Sequence, residues 1–106
     1  MPTCLTSLKK TDNIMNSTIE EALGILQEEC AEVIVEVSKI RRFGLETAHY
    51  KSDMQHTHRA MLEMEVGDVL ALVDILLEQG ILDQARLDTY KQNKKDKLKL
   101  WSKIYE

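Results

Sequence analysis

Leu26-Gln-Glu-Glu29-Cys-Ala-Glu32-Val33-Ile34-Val-Glu-Val37 and Leu62-Glu-Met-Glu65-Val-Gly-Asp68-Val69-Leu70-Ala-Leu-Val73 share one pattern, L-x-x-E-x-x-[E/D]-V-[I/L]-x-x-V. On a helix, at about 100° per residue, positions 26, 30, 33 and 37 line up as an apolar stripe, and Glu29 and Glu32 run along its edge. Glu65 and Asp68 hold the same places beside Leu62, Val66, Val69 and Val73. The period decides the fold class: both stretches are helices committed to pack, and each brings two carboxylates to the border of its packing face.

Clustered acids have an energetic consequence. Two unit charges about 4 Å apart repel by about 1 kcal/mol in bulk water and about 4 kcal/mol at an effective dielectric near 20. Glu29, Glu32, Glu65 and Asp68 therefore oppose folding unless something neutralises them, and hard divalent cations with oxygen ligands, Mg2+ or Mn2+, are the natural counter-charge. The bland alternative for either segment alone is a solvated helix border. The identical offset of both acid pairs from their stripes favours the cation site.

Working outward, Ser17-Thr-Ile-Glu20 matches a capping box at the head of the first helix, which is expected from about Thr18 to Arg42 and to stop near Gly44. Residues 1–16 are polar and aperiodic and read as a loose arm, leaving 17–106 as the folded domain. Residues 43–57 read as a connector with room for a short helical turn, and nothing calls for β structure. The second helix is expected from about His58 to Glu78 with Gly80 as its stop. Its near-continuous apolarity over Val69–Leu77 places it at the centre of the bundle. The third spans about Leu82 to Ile104, with Ala85, Leu87, Tyr90, Leu98, Trp101 and Ile104 as apolar members. Its lysines, Lys91, Lys94, Lys95, Lys97, Lys99 and Lys103, read either as a solvated face or as partners for phosphate. Lys39 carries the same ambiguity, its ordinary reading being an i, i+3 pair with Glu36.

The chain has 106 residues, 14 basic against 18 acidic, and a formal charge of -4. That length suits one domain, and the charge does not suit a general nucleic-acid binder. Two cysteines, Cys4 and Cys30, make no disulfide framework. No apolar run approaches the roughly 20 residues that span a bilayer. A cytoplasmic protein with no membrane and no nucleic-acid partner is the expectation. A small helical chain also buries too little by itself, so an all-α bundle of three to four helices joined into a homodimer or homotetramer is expected.

Glu28-Glu29-Cys-Ala-Glu32 and Glu65-Val-Gly-Asp68 form an E-E-x-x-E and E-x-x-D pair on consecutive helices. This resembles the MazG-like all-α nucleoside triphosphate pyrophosphohydrolases, in their short single-domain bacterial and phage form. Ser38-Lys-Ile-Arg-Arg-Phe-Gly44 and Gly67-Asp-Val-Leu-Ala-Leu-Val73 add to the likeness, and Lys91-Gln-Asn93-Lys-Lys95 resembles the K-x-N-x-K stretch of that family's last helix. The resemblance covers roughly residues 18–97. It implies hydrolysis of a nucleoside or deoxynucleoside triphosphate to the monophosphate and pyrophosphate with Mg2+, in bacterial cytoplasm or a phage-infected host cell. By position, Glu29, Glu32, Glu65 and Asp68 match the family's metal ligands, and Glu29 or Glu32 takes the proton of the attacking water. Lys91, Asn93 and Lys95 match the stretch that touches phosphates. Lys39 and Arg42 join them on helical geometry.

Two other readings stand beside this one. A di-iron bundle needs paired E-x-x-H motifs, and only Glu46-Thr-Ala-His49, in the connector, has that form. A non-catalytic helical interaction module accounts for the amphipathicity and the charge separation, but not for the repeated register of the acids.

Overall fold

The computed structural model describes residues 15–50 and 53–106, so the expected arm lies almost wholly outside the described residues. In chain order the elements are α1 (Ser17–Phe43), β1 (Ala48–Tyr50), β2 (Asp53–Thr57), α2 (His58–Glu78) and α3 (Gln84–Trp101). The architecture is predominantly helical, and no described helix is long and apolar enough to cross a membrane.

The helix ends follow from side chains that meet orphan backbone groups. Asn16, not Ser17, caps α1, its Oδ1 accepting from the Ile19 amide at 2.8 Å. The capping-box reading was one residue out, because Asn16 and Ser17 are both competent caps and the amide side chain takes the position. Thr57 caps α2 through Ala60, and Asp83 caps α3 through Arg86, at 3.2 and 2.9 Å. Gly80, at φ 74°, turns the chain after α2, where its amide donates to the Leu77 carbonyl and that of Ile81 to Leu76. The bounds of α2 match expectation, whereas α3 is shorter than Leu82–Ile104, since Asp83 opens it and the Ser102 hydroxyl closes on the Leu98 carbonyl.

The connector departs from the sequence reading. It holds two short antiparallel strands that pair Ala48 with Thr57 and Tyr50 with Asp53. Backbone without helical period still has to satisfy its donors and acceptors, and here it does so strand to strand. Strands of three and five residues carry too little alternation to be read in advance. The amides of His58 and Arg59 donate to the Thr47 and Leu45 carbonyls, and Arg59 Nε meets Glu46 Oε1 at 2.9 Å, so the connector is tied to the start of α2.

α1 and α2 pack antiparallel and are anchored at both ends. At one end Ala22 clusters with Leu72 and Leu76, with Leu23, Leu26, Ile75, Ile81 and Leu82 around them. At the other end Glu36 and His58 are both buried, with Oε1 and Nδ1 3.9 Å apart, and the Phe43 ring stacks on His58 at 5.9 Å between centroids. The third helix buries no residue. Tyr90, Trp101 and Ile104, apolar members of the expected third helix, are exposed, Trp101 at 82%. Nor is α2 enclosed on several sides, because Met64, Val66 and Leu70 are exposed. Among the described residues α1 is the one helix that packs along α2, which leaves Met64, Val66 and Leu70 exposed.

A candidate metal centre between two helices

The register of the α1–α2 pair sets the site. Glu36 faces His58 at one end, and seven residues, about two helical turns, separate Glu36 from Glu29 and His58 from Glu65 alike. A further seven lead to Ala22 and Leu72 in the apolar cluster. Equal steps along antiparallel helices leave Glu29 across from Glu65, with Asp68 one turn further along α2. One carboxylate oxygen from each of Glu29, Glu65 and Asp68 lies within 4.8 Å of the other two. Glu29 and Glu65 are half-buried and Asp68 is exposed, so the cluster sits at the mouth of the helix seam.

Electrostatics mark the same three residues. Partial burial raises Glu29 above the ordinary carboxylate range. The Asp68 charge and a proton shared with Asp68 add to the rise, a hydrogen bond from Glu65 offsets part of it, and Glu32 adds a little more. Glu65 is raised by burial first, then by the charges of Glu32, Glu29 and Asp68. Glu32 is thus near enough to act on both, although it is exposed and stands outside the group of three. Among the described residues no basic group is paired with the cluster, and its donors are all carboxylate oxygens. That donor set fits a hard cation such as Mg2+ or Mn2+ and not a soft one.

The expected phosphate-binding residues are not drawn to this cluster by any described contact. Lys39 Nζ lies 3.4 Å from Glu36 Oε2, the i, i+3 pair that was its ordinary reading. Arg42 lies over the Phe43 ring at 5.0 Å. Lys91 pairs with Asp88 at 3.4 Å, and Asn93 and Lys95 are exposed on α3. The sequence reading missed the Glu36–His58 contact. Its signal was there: Glu36 continues the face of Glu29 two turns on, and His58 precedes Glu65 by the same interval.

Compared with known proteins, the chain matches no protein-family model, no curated protein and no solved structure. The chemistry of the site therefore carries the functional argument.

The raised carboxyls set a pH dependence with a definite sign. A group whose proton affinity is higher in the fold than in the unfolded chain favours folding fully below its ordinary range, and that contribution is lost as pH rises through the raised range. Without metal, Glu29 and Glu65 therefore favour the fold in acid and lose that contribution towards neutrality. A bound cation reverses this, because it displaces their protons. Thermal melts should show Mg2+ raising Tm at about pH 7.5 and having little effect at about pH 4. An Mg2+ effect of equal size at both values would remove these two carboxyls from the site.

Proposed function

We propose that this chain is a metal-dependent nucleoside triphosphate pyrophosphohydrolase of the MazG-like kind. The observation that carries the reading is the convergence of Glu29, Glu65 and Asp68 from two helices within 4.8 Å, two of them holding their protons above the ordinary range. The acid motifs and the Lys91-Gln-Asn93-Lys-Lys95 stretch lend it the substrate class by resemblance.

In this reading Glu29, Glu65 and Asp68 hold the divalent cation, with Glu32 beside them as a fourth donor. When bound, the cation supplies a water of lowered pKa and neutralises charge on the leaving pyrophosphate. Water oxygen adds to the α-phosphorus as the bond to the bridging oxygen on the β side breaks, giving monophosphate and pyrophosphate. Glu32 or Glu29 takes the proton of that water. Lys91 and Lys95 offer ammonium groups, and Asn93 an amide, to phosphoryl oxygens; Lys39 and Arg42 serve only if they leave Glu36 and Phe43.

The test is ion-exchange separation of products from each common ribo- and deoxynucleoside triphosphate, with and without Mg2+. Monophosphate and pyrophosphate formed only with metal are expected. Diphosphate and phosphate as products, or no turnover of any of them, contradicts the reading. The interaction-module alternative draws on one observation, the separation of acids on α1 and α2 from bases on α3, and it predicts no turnover at all.

A further inference from the structure

We propose that the hollow lined by Thr18, Glu21, Ala22, Ile25, Leu72 and Ile75 receives the nucleobase of the substrate, and that Glu21 selects bases carrying an amino group. This rests on the reading of the carboxylate cluster as the metal centre of a nucleotide hydrolase, and it assigns the direction in which the nucleotide lies.

The placement follows from register. Along α1, Thr18, Ile25, Glu32 and Lys39 recur every seven residues, about two turns, so they share one edge of the helix. On α2, Asp68 and Ile75 are related by the same interval. The helices run antiparallel with Glu29 across from Glu65, so Ile25 stands one turn from Glu29 in the same direction in which Leu72 stands one turn from Asp68. The hollow, about 170 Å3 in volume, therefore opens beside the cluster, on the edge of the seam that carries Glu32 and Asp68. A second hollow along the seam, lined by Cys30, Val33, Val66 and Val69, lies on the opposite edge and offers a base edge no polar partner but the thiol.

The lining suits a base. Ala22 and Leu72 are buried and form the floor, while Ile25, 37% exposed, and the half-buried Ile75 present apolar walls to a planar ring. At the end away from the cluster, Thr18 and Glu21 place a hydroxyl and a carboxylate at the rim. A carboxylate accepts from an exocyclic amine, as Glu and Asp do from cytosine N4. It is repelled by the two carbonyls that flank the ring N–H of uracil and thymine, because it has no proton to offer them. Lys39 stands at the opposite end of the same edge, on the side left for the pyrophosphate. Base, α-phosphate and leaving group then follow one another along α1.

The test compares kcat/KM across triphosphates and reads metal binding separately. The parent should favour adenine, guanine and cytosine triphosphates over those of uracil and thymine by at least about tenfold. Glu21→Gln should erase that preference, since an amide donates as well as accepts, with Mn2+ binding unchanged. Ile25→Trp, which fills the hollow, should raise KM for every triphosphate at least about tenfold, again with Mn2+ binding unchanged. In the parent, a nucleoside monophosphate with Mg2+ should shift the backbone amide resonances of Ile25 and Ile75 and not those of Val33 and Val66, a readout that needs no variant to fold. A base preference that survives Glu21→Gln, or shifts that miss Ile25 and Ile75, overturns the subsite and leaves the hydrolase reading in place. No turnover of any triphosphate by the parent overturns both.

Discussion

Asp68→Asn should lower kcat/KM for a nucleoside triphosphate by at least about a hundredfold while leaving the chain folded. Asparagine keeps the shape of the side chain and one oxygen, but it gives up the charge that anchors a hard cation. In the protein without metal, Asp68 is a source of the raised Glu29 carboxyl, through its charge and through a shared proton. Removing that charge lets Glu29 ionise more readily and relieves repulsion in the seam. The variant should therefore melt no lower than the parent in chelator, and it should lose the rise in Tm that Mg2+ gives the parent. Loss of turnover accompanied by loss of the apo fold would assign Asp68 a structural role instead. Glu32→Gln separates the two jobs assigned to carboxylates, because a residue that only accepts the water proton leaves metal affinity intact when turnover falls.

Leu76→Ala should have the largest effect on stability. Leu76 is 1% exposed and is the most deeply buried large side chain among the described residues, in the cluster with Ala22 and Leu72 that closes one end of the helix pair. Emptying such a position costs about 2–5 kcal/mol, a large share of the roughly 5–15 kcal/mol that holds a domain together. Urea denaturation followed by circular dichroism reads it directly. The site should feel the loss as well, since Glu29 faces Glu65 only while the cluster and the Glu36–His58 contact hold the two helices in register. Saturating Mg2+ should recover part of the lost stability by mass action, and a variant that keeps the parent's denaturation midpoint would refute the packing account.

What the sequence made legible was what repeats. The twofold occurrence of the L-x-x-E-x-x-[E/D]-V pattern pointed to α1, α2 and the carboxylates that converge, because periodicity on one helix is a local property. The stop at Gly80 was legible for the same reason, as the turn there is built from a left-handed glycine. What stayed hidden depends on contacts between elements. Glu36 has a local partner in Lys39, which the sequence shows, although it is buried where it faces His58 across the helix pair, which the sequence does not. The third helix has apolar members at helical spacing, yet spacing does not say whether the chain itself supplies the surface they meet, and for Trp101 and Tyr90 it does not. Glu32 was grouped with the other three acids by register, but it lies one turn along α1 from Glu29, on the more exposed side, and acts on the cluster by its charge.

The central claim is that Glu29, Glu65 and Asp68 bind a divalent cation, and Mn2+ titration watched by electron paramagnetic resonance at neutral pH tests it most directly. The account predicts saturable Mn2+ binding in the parent chain, displaced by Mg2+ and abolished by Glu65→Gln with helicity unchanged. Saturable binding that survives Glu65→Gln undiminished, or none in the parent, would contradict it.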